Sequence, residues 1–451
     1  MTVHQNHCGS ELARDSAPRD PRVHLFETEL GPHLLVADGS RVYGIDLDLK
    51  RAIEETLGID PARLAELLGA EGLRATGFAD LTPPRDPPVR SLSLALAQKC
   101  NLACTYCYAQ EGGFGGPERA MPWAVAEAAV RRLLSDATPG ECTHLSFLGG
   151  EPLTNRGVLK DATVLAAELA AERSVPIDFS LTTNGTLLAA EDLEFFEQFR
   201  FAVTVSIDGV GAVHDQLRPA KGGAGTYERV VARVQPLLKR PRRTQFSARV
   251  SVTPRNLRLR ETLDTLIGLG FDSVGFSPVL SSPTGRDEME RSDLAVMLDQ
   301  MIDCGREYER RALAGDKYPF GNLESALREI HRGTHRPYPC GAGAGYFGVS
   351  AEGGLYACHR FVDDPNGAMG SVDHGVNRAE QRRWLEERAV DRQEPCRSCW
   401  ARYLCGGGCH HEVIHRGRPS CDYIRGWLHY ALQIYVRLCA LRPELIQRLA
   451  A

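Results

Sequence analysis

Apolar and polar positions follow two rhythms along this chain. Between residues 22 and 90, apolar residues recur at strand spacing in VHLFETEL, HLLVADGS and RVYGIDL. Asp38-Gly39-Ser40, between the second and third segments, is a hairpin signal. Helical spacing follows in DLKRAIEETLG and PARLAELLGA, and the breaker run PPRDPP at 83–88 closes the module. From Ser91 a strand–helix alternation takes over. Its strands are SLSLALA (91–97), THLSFLG (143–149), PIDFSLTT (176–183), FAVTVS (201–206), FSARVSVTP (246–254) and SVGFSPV (273–279). Amphipathic patterns such as PWAVAEAAVRRLLSD and LKDATVLAAELAAERS separate them. Six strand–helix units in a row predict an α/β fold whose parallel sheet curls into a TIM-type barrel, partial or complete, with its site at the C-terminal strand ends. A helix-rich connector, residues 288–332, leads to a tail ending in an amphipathic helix on Ile424, Trp427, Leu428, Ala431, Tyr435 and Leu438.

Composition adds exclusions. With 451 residues, 43% hydrophobic, the chain can build two or three packed cores. A formal net charge of −5 gives no general grip on nucleic acid or an anionic membrane. No apolar run is long enough to span a membrane, and the polar start MTVHQNHCGSELARDS lacks the apolar core of a signal peptide. The expectation is a cytoplasmic protein whose residues 1–21 form a disordered tail.

The cysteines carry the chemistry. Of 14, three stand together (Cys100, Cys104, Cys107) and seven lie between 340 and 421. In a reducing cytosol clustered thiols more often bind metal than pair as disulfides. The scattered Cys8, Cys142, Cys304 and Cys439 read as core or surface thiols. Directly after the first barrel strand, Cys100-x₃-Cys104-x₂-Cys107 can wrap three thiolates around one corner of an iron–sulfur cubane, leaving one iron open. Zinc is the alternative, but no fourth Cys or His follows at knuckle spacing.

That spacing, with the aromatic Tyr106 before the last Cys, resembles radical S-adenosylmethionine (SAM) enzymes. Later segments agree, each at a strand end: Gly149-Gly150-Glu151-Pro152, Thr183-Asn184-Gly185 and Ser206-Ile207-Asp208-Gly209. His214-Asp215 and Arg218 follow at the offset of the peptide-modifying branch. The resemblance covers about residues 91–280. It implies that Cys100, Cys104 and Cys107 hold a [4Fe–4S] cluster and that SAM lies against Gly149, Gly150, Glu151, Asn184, Ser206 and Asp208. The GGEP backbone would meet the SAM amino group, and Ser206 its ribose or carboxylate. Arg249 on the fifth strand would pair with the SAM carboxylate or serve as a structural arginine. A closed, apolar-lined barrel interior would shield the radical.

The tail pattern Cys340-x₁₂-Gly353-x₄-Cys358, then Cys396-x₂-Cys399-x₅-Cys405-x₃-Cys409-x₁₁-Cys421, resembles the SPASM extension of peptide maturases. Paired zinc ribbons are the alternative. The resemblance implies three [4Fe–4S] clusters in all. Cys396, Cys399, Cys405 and Cys421 would hold the distal auxiliary one; Cys340, Cys358 and Cys409 would hold the proximal one. The proximal set is one thiolate short. His359, a remote thiol such as Cys304, or a cysteine of the substrate would complete it. CGAGAGYF, CHRFV and CWARYLCGGGC are similar to SCIFF maturases and quinohemoprotein amine dehydrogenase maturation proteins.

The expected organisation is therefore a tail (1–21), a small α+β module (22–90), a partial (β/α)₆ radical SAM barrel (91–332) and an iron–sulfur SPASM domain (333–451). The module looks like the winged-helix elements that bind leader peptides, or else is a structural extension packed on the barrel. The implied partners are a leader-bearing precursor peptide or protein and a flavodoxin or ferredoxin as reductant. The implied reaction is cross-linking, a Cys-to-carbon thioether first, carbon–carbon or carbon–oxygen coupling or formylglycine-type oxidation as alternatives. One motif competes: His411-Glu412-Val413-Ile414-His415 fits H-E-x-x-H, the zinc-peptidase pattern. It begins two residues after a presumed cluster ligand, which favours a helix flanking that cluster.

Overall fold

The computed structural model describes residues 20–57, 59–73 and 82–450; the expected N-terminal tail falls, but for its last two residues, outside them. Strands β1 (Val23–Thr28), β2 (Gly31–Val36) and β3 (Arg41–Gly44) form an antiparallel sheet. Gly39 and Ser40 both take positive φ in the tight loop joining β2 to β3, as the hairpin signal requires. Helices Leu47–Thr56 and Pro61–Ala70 follow, their first N–H groups capped by the side chains of Asp46 and Asp60. The module has its own core around Val23, Leu34, Val36, Ile53, Leu64 and Leu68. Its docking surface is the tail: the His24 ring stacks 3.7 Å from Trp400, and Gln433 donates to the Glu27 carbonyl at 3.0 Å.

The barrel strands are β4 (Ser91–Gln98), β6 (Thr143–Gly149), β7 (Ile177–Thr183), β8 (Ala202–Ser206), β9 (Gln245–Val252) and β10 (Ser273–Pro278), with the short β5 (Arg119–Ala120) antiparallel to β4. Each of the six lies within two residues of its sequence-predicted bounds. They run parallel in the order β10-β9-β8-β7-β6-β4. The sheet then continues into the tail. β11 (Tyr346–Val349) pairs parallel to β4, and β12 (Gly354–Tyr356), β13 (Ala368–Ser371) and β14 (Gly375–Val376) add antiparallel strands beyond it.

Period-2 burial orients the barrel strands other than β4, which is buried from Leu92 to Gln98. Leu145, Phe147, Phe179, Leu181, Val203, Val205, Phe246 and Val250 are buried under the helices in one continuous core. The opposite face carries His144, Ser146, Ser180, Thr182, Thr204, Ser206, Ser247 and Arg249. Polar pairs join neighbouring strands across that face, Ser93 to Ser146 at 3.0 Å and His144 to Ser180 at 2.8 Å. The expected closed, apolar-lined interior is thus not what forms. The apolar side of each strand packs against the helix layer, and the terminal strands β10 and β14 do not pair with one another to close the sheet. What faces inward is small, polar and open.

Helices Arg291–Ala314 and Gly321–His331 form the connector, and the C-terminal helix Cys421–Leu441 packs on both. Among the described residues no helix is long and apolar enough to cross a membrane.

Candidate cluster and cofactor site

The Cys100–Cys107 loop leaves the C-terminal end of β4 and is tied to the segment after helix Ala212–Leu217. Ala103 N–H donates to the Pro219 carbonyl at 2.9 Å, and Thr105 N–H to Leu217 at 3.1 Å. Leu102 N–H points at the Cys100 sulfur at 3.4 Å, Asn184 Nδ2 approaches the same sulfur at 3.7 Å, and Arg218 Nη1 lies 3.7 Å from the Cys104 sulfur. Asn184 is aimed by Asn101, whose Oδ1 accepts from it at 2.9 Å, and by Thr186, which donates to its Oδ1.

Glycines bring the next strand ends together. Gly149 has φ +137° and its missing Cβ would lie 2.5 Å from the Ala97 carbonyl oxygen; one on Gly150 would overlap the Lys99 carbonyl. Glu151 is wholly buried. Its carboxylate accepts from Leu153 N–H (3.0 Å), the Thr183 hydroxyl (2.8 Å) and Asn184 N–H (2.8 Å), so it pins this turn to the end of β7. Asp208 plays the same part at the end of β8. It takes the Tyr106 hydroxyl, Arg218 Nε at 2.7 Å and Ser251 N–H at 2.8 Å, while His214 Nδ1 accepts from its backbone N–H at 3.1 Å. Burial above all pushes the Tyr106 phenol up, so it stays protonated and donates.

Ser206 faces Arg249 across the β8–β9 pair. Among the described residues no hydrogen bond or ion pair is made to the Arg249 guanidinium. The crowded wall around it, then Arg360, pull its pKa down, while Glu412 and Asp208 pull the other way.

The ten clustered thiols fall into three sets by mutual electrostatic influence: Cys100, Cys104 and Cys107; Cys340, Cys358 and Cys409; Cys396, Cys399, Cys405 and Cys421. No pair is a disulfide. The last set lines a single cavity, which Cys409 of the second set also borders. Burial pushes Cys104 and Cys358 up to about 12, so ionised sulfurs there need a compensating positive centre. Backbone N–H groups two residues on already point at four sulfurs: Leu102 at Cys100, Ala342 at Cys340, Arg360 at Cys358 and Gly407 at Cys405. The run Gly406-Gly407-Gly408, all at positive φ, makes the last of these possible and sends Cys405 and Cys409 into different sets. Thiols in threes and fours with N–H donors aimed at sulfur are what iron–sulfur cubanes require.

Two residues that sequence reasoning passed over link the first and second sets. Tyr108, next to Cys107, is half-buried, and its phenol is raised by desolvation, then by Cys107 and, further down, Cys358. Arg360, two residues after Cys358, stacks 5.3 Å over the Tyr108 ring, reaches the Cys409 sulfur at 3.7 Å and pairs with Glu412 at 2.7 Å. Adjacency to a cluster cysteine was the only signal for either. Cys304, a proposed remote ligand, is buried in helix Arg291–Ala314 beside Asp303, Arg260 and Asp264, with none of the clustered thiols affecting it. His359 is held by Tyr346. The tyrosine oxygen accepts from Ser93 and from His359 N–H, so its own hydrogen goes to His359 Nδ1 at 2.6 Å. Burial, then Arg360, lower this imidazole to about 4. A neutral ring accepting at Nδ1 carries its proton on Nε2 and in that form has no lone pair there for iron.

Residues 94–241 match the Radical SAM superfamily. The chain carries a radical SAM domain. That domain implies a [4Fe–4S] cluster and SAM. The chain is 26% identical over 356 residues to the serine-type anaerobic sulfatase-maturating enzyme of Klebsiella aerogenes, covering 76% of this chain and 85% of that one. Its fold is similar to the structure of native anSMEcpe with bound AdoMet and Kp18Cys peptide (TM-score 0.63, 22% identity, 80% of this chain and 100% of that one). It is also similar to Streptococcus suis SuiB bound to precursor peptide SuiA (TM-score 0.50, 14% identity, 89% and 98%).

The Asp208–Arg218 pair tests the scaffold. Both side chains are nearly or fully buried, so Asp208→Asn leaves an uncompensated cation under the Cys104 loop. The expected outcome is a loss of about 3–5 kcal/mol of stability, read as a lower urea midpoint. Asp208→Asn unfolding at the wild-type midpoint would show that the pair carries no such weight.

Proposed function

We propose that this chain is a radical SAM peptide maturase that cross-links a ribosomally made precursor, forming a thioether between a cysteine sulfur and a carbon. One observation carries the reading: the proximal set offers three thiols, and His359, beside Cys358 in sequence, is engaged through Nδ1 with the Tyr346 hydroxyl at 2.6 Å. Cys100, Cys104 and Cys107 would hold the SAM cluster, Cys340, Cys358 and Cys409 the proximal auxiliary cluster, and Cys396, Cys399, Cys405 and Cys421 the distal one. When bound, the first cluster with SAM supplies a carbon radical able to abstract hydrogen.

The chain's own residues bind and orient. The Gly149–Glu151 backbone, pinned by the Glu151 carboxylate, would receive the SAM amino group. Asn184 and Leu102 N–H steady the Cys100 sulfur, and Arg218 steadies that of Cys104. Ser206 and Arg249 would take the ribose and carboxylate, Arg249 being the unpaired cation at that level. A cavity of about 570 Å³ is lined by Tyr108, Phe114, Ser282, Arg360 and Asp364 among others. It is wide enough for a peptide segment, and Arg360 joins its wall to the Cys409 sulfur. A substrate thiol bound at an open proximal position would lose its proton there and be held against the substrate carbon from which hydrogen had been taken, so that the C–S bond would close intramolecularly, with the one electron released passing to an auxiliary cluster. Reduction would come from a flavodoxin or ferredoxin.

The sulfatase-maturating relative supports a second reading, oxidation of a Ser or Cys side chain to formylglycine in the same cavity. One experiment separates them. The spectrum of the auxiliary clusters, recorded in the Cys100→Ala/Cys104→Ala/Cys107→Ala variant, is expected to change when a Cys-containing precursor is added, and a Cys-to-Ser precursor is expected not to turn over in the wild type. An unperturbed spectrum with equal turnover of both precursors would sink the thioether reading. The triple variant is also expected to lose 5′-deoxyadenosine release while keeping the irons of two clusters, out of about twelve per wild-type chain.

The N-terminal module would bind the leader. β3 is the edge of its sheet, paired among the described residues only with β2, and a leader can add to it as a further strand. A chain truncated to begin at Asp86 is expected to retain SAM cleavage and lose at least tenfold in precursor affinity by fluorescence anisotropy. Unchanged affinity would return the module to a purely structural role.

A further inference from the structure

The H-E-x-x-H helix, His410–Arg416, does not serve as a peptidase centre. Glu412, which would have to activate water, is turned away into its ion pair with Arg360 beside Cys409. Its two histidines remain unexplained. His411 and His415, one turn apart, stand on one face of the helix with ring centroids 4.4 Å apart. Asp364 approaches from the loop after β12, and its Oδ2 lies 2.8 Å from His415 Nε2. Asp364 is fixed by its other oxygen, which accepts from Asn366 N–H and Nδ2 at 2.9 Å and so leaves Oδ2 free to face the helix. One donor atom from each of the three residues falls within 4.8 Å of the others. His411 Nδ1 is a buried nitrogen with no hydrogen-bond partner.

We propose that Asp364, His411 and His415 form a binding site for one divalent cation of the zinc or iron(II) class, with open positions toward the cavity of about 570 Å³ that all three residues line. Two imidazoles and one carboxylate on a shared face are the donor set of facial-triad metal sites. Two donors at ~2.1 Å from one cation stand roughly 3 Å apart, so the Asp364–His415 pair needs to open by only a fraction of an ångström to straddle it. The local charge permits it. Both arginines on the cavity wall are already matched, Arg360 by Glu412 and Arg416 by Glu288 at 2.9 Å and Glu290 at 2.8 Å, so the Asp364 carboxylate faces no unpaired cation there. A cation so placed would take a carboxylate, imidazole or thiolate from whatever occupies the cavity. None of the ten clustered thiols lines this cavity. The inference does not depend on how those thiols are filled.

The test is metal content, not turnover. The full chain, purified anaerobically and with its iron content recorded, is dialysed to equilibrium against Zn²⁺, alongside His415→Gln and Asp364→Asn. Zinc caught in incompletely filled thiol sites is common to all three and cancels in the difference. The wild type is expected to hold one zinc per chain more than either variant, at equal iron and sulfide content. Its zinc K-edge absorption should show a nitrogen/oxygen shell near ~2.0–2.1 Å for that extra ion, against ~2.3 Å for sulfur ligation. Equal zinc in all three proteins, or an extra ion ligated by sulfur, overturns the proposal and leaves a plain histidine–aspartate ion pair.

Discussion

The parallel pairing of β11 with β4 is the contact on which the candidate site depends. β4 delivers the Cys100–Cys107 loop at its C-terminal end. β11 runs beside it in the same direction and β12 returns antiparallel, so Cys340, before β11, and Cys358, after β12, flank the end where the two strands begin, and the segment after Cys358 runs back along the sheet to bring Asp363 to the last residue of β4. The join is reinforced where it counts. Gln98, the last residue of β4 and almost wholly buried, donates to Asp363 at 2.7 Å and accepts from Ala351 N–H at 2.7 Å. Ser93 reaches through Tyr346 to His359. A tail packed against the barrel by side chains alone could slide; a tail that shares its central sheet is held in register by the hydrogen-bond ladder. Tyr108 and Arg360, one from each side of the join, then occupy the space between the first two thiol sets.

Much of this was legible in the sequence because the signals are local. The barrel strands alternate apolar residues with Ser or Thr, and Gly149, Gly185 and Gly209 mark their ends at positive φ. Spacing within ten residues grouped Cys100–Cys107, whereas the division of the tail thiols into two sets came from the resemblance to the SPASM pattern. What was not legible depends on contacts distant in sequence. Tyr346–Val349 sits in a glycine-rich run of four strand residues, too short for a period to show. The inner face of the barrel was misjudged because alternation tells which residues go under the helices but not what the other face encloses. Nothing near Glu412 in sequence shows that Arg360, fifty-odd residues earlier, removes it from the H-E-x-x-H pattern.

An open, hydroxyl-lined interior changes how water must be excluded from radical chemistry. In a closed apolar barrel the walls would do it. Here Thr182 and Arg249 are accessible, and the cavity wall between the barrel loops and the tail is largely polar. Exclusion therefore falls to the occupant: a peptide segment filling the cavity and SAM filling the strand ends would displace the water themselves. Charge points the same way. Around the strand ends Arg218 is matched by Asp208 and Arg360 by Glu412, whereas the exposed Arg249 has no ion-pair partner among the described residues. A carboxylate reaching that exposed guanidinium would pair with it and take the place of solvent. An anionic ligand at the strand ends is the occupant that this unmatched charge would favour.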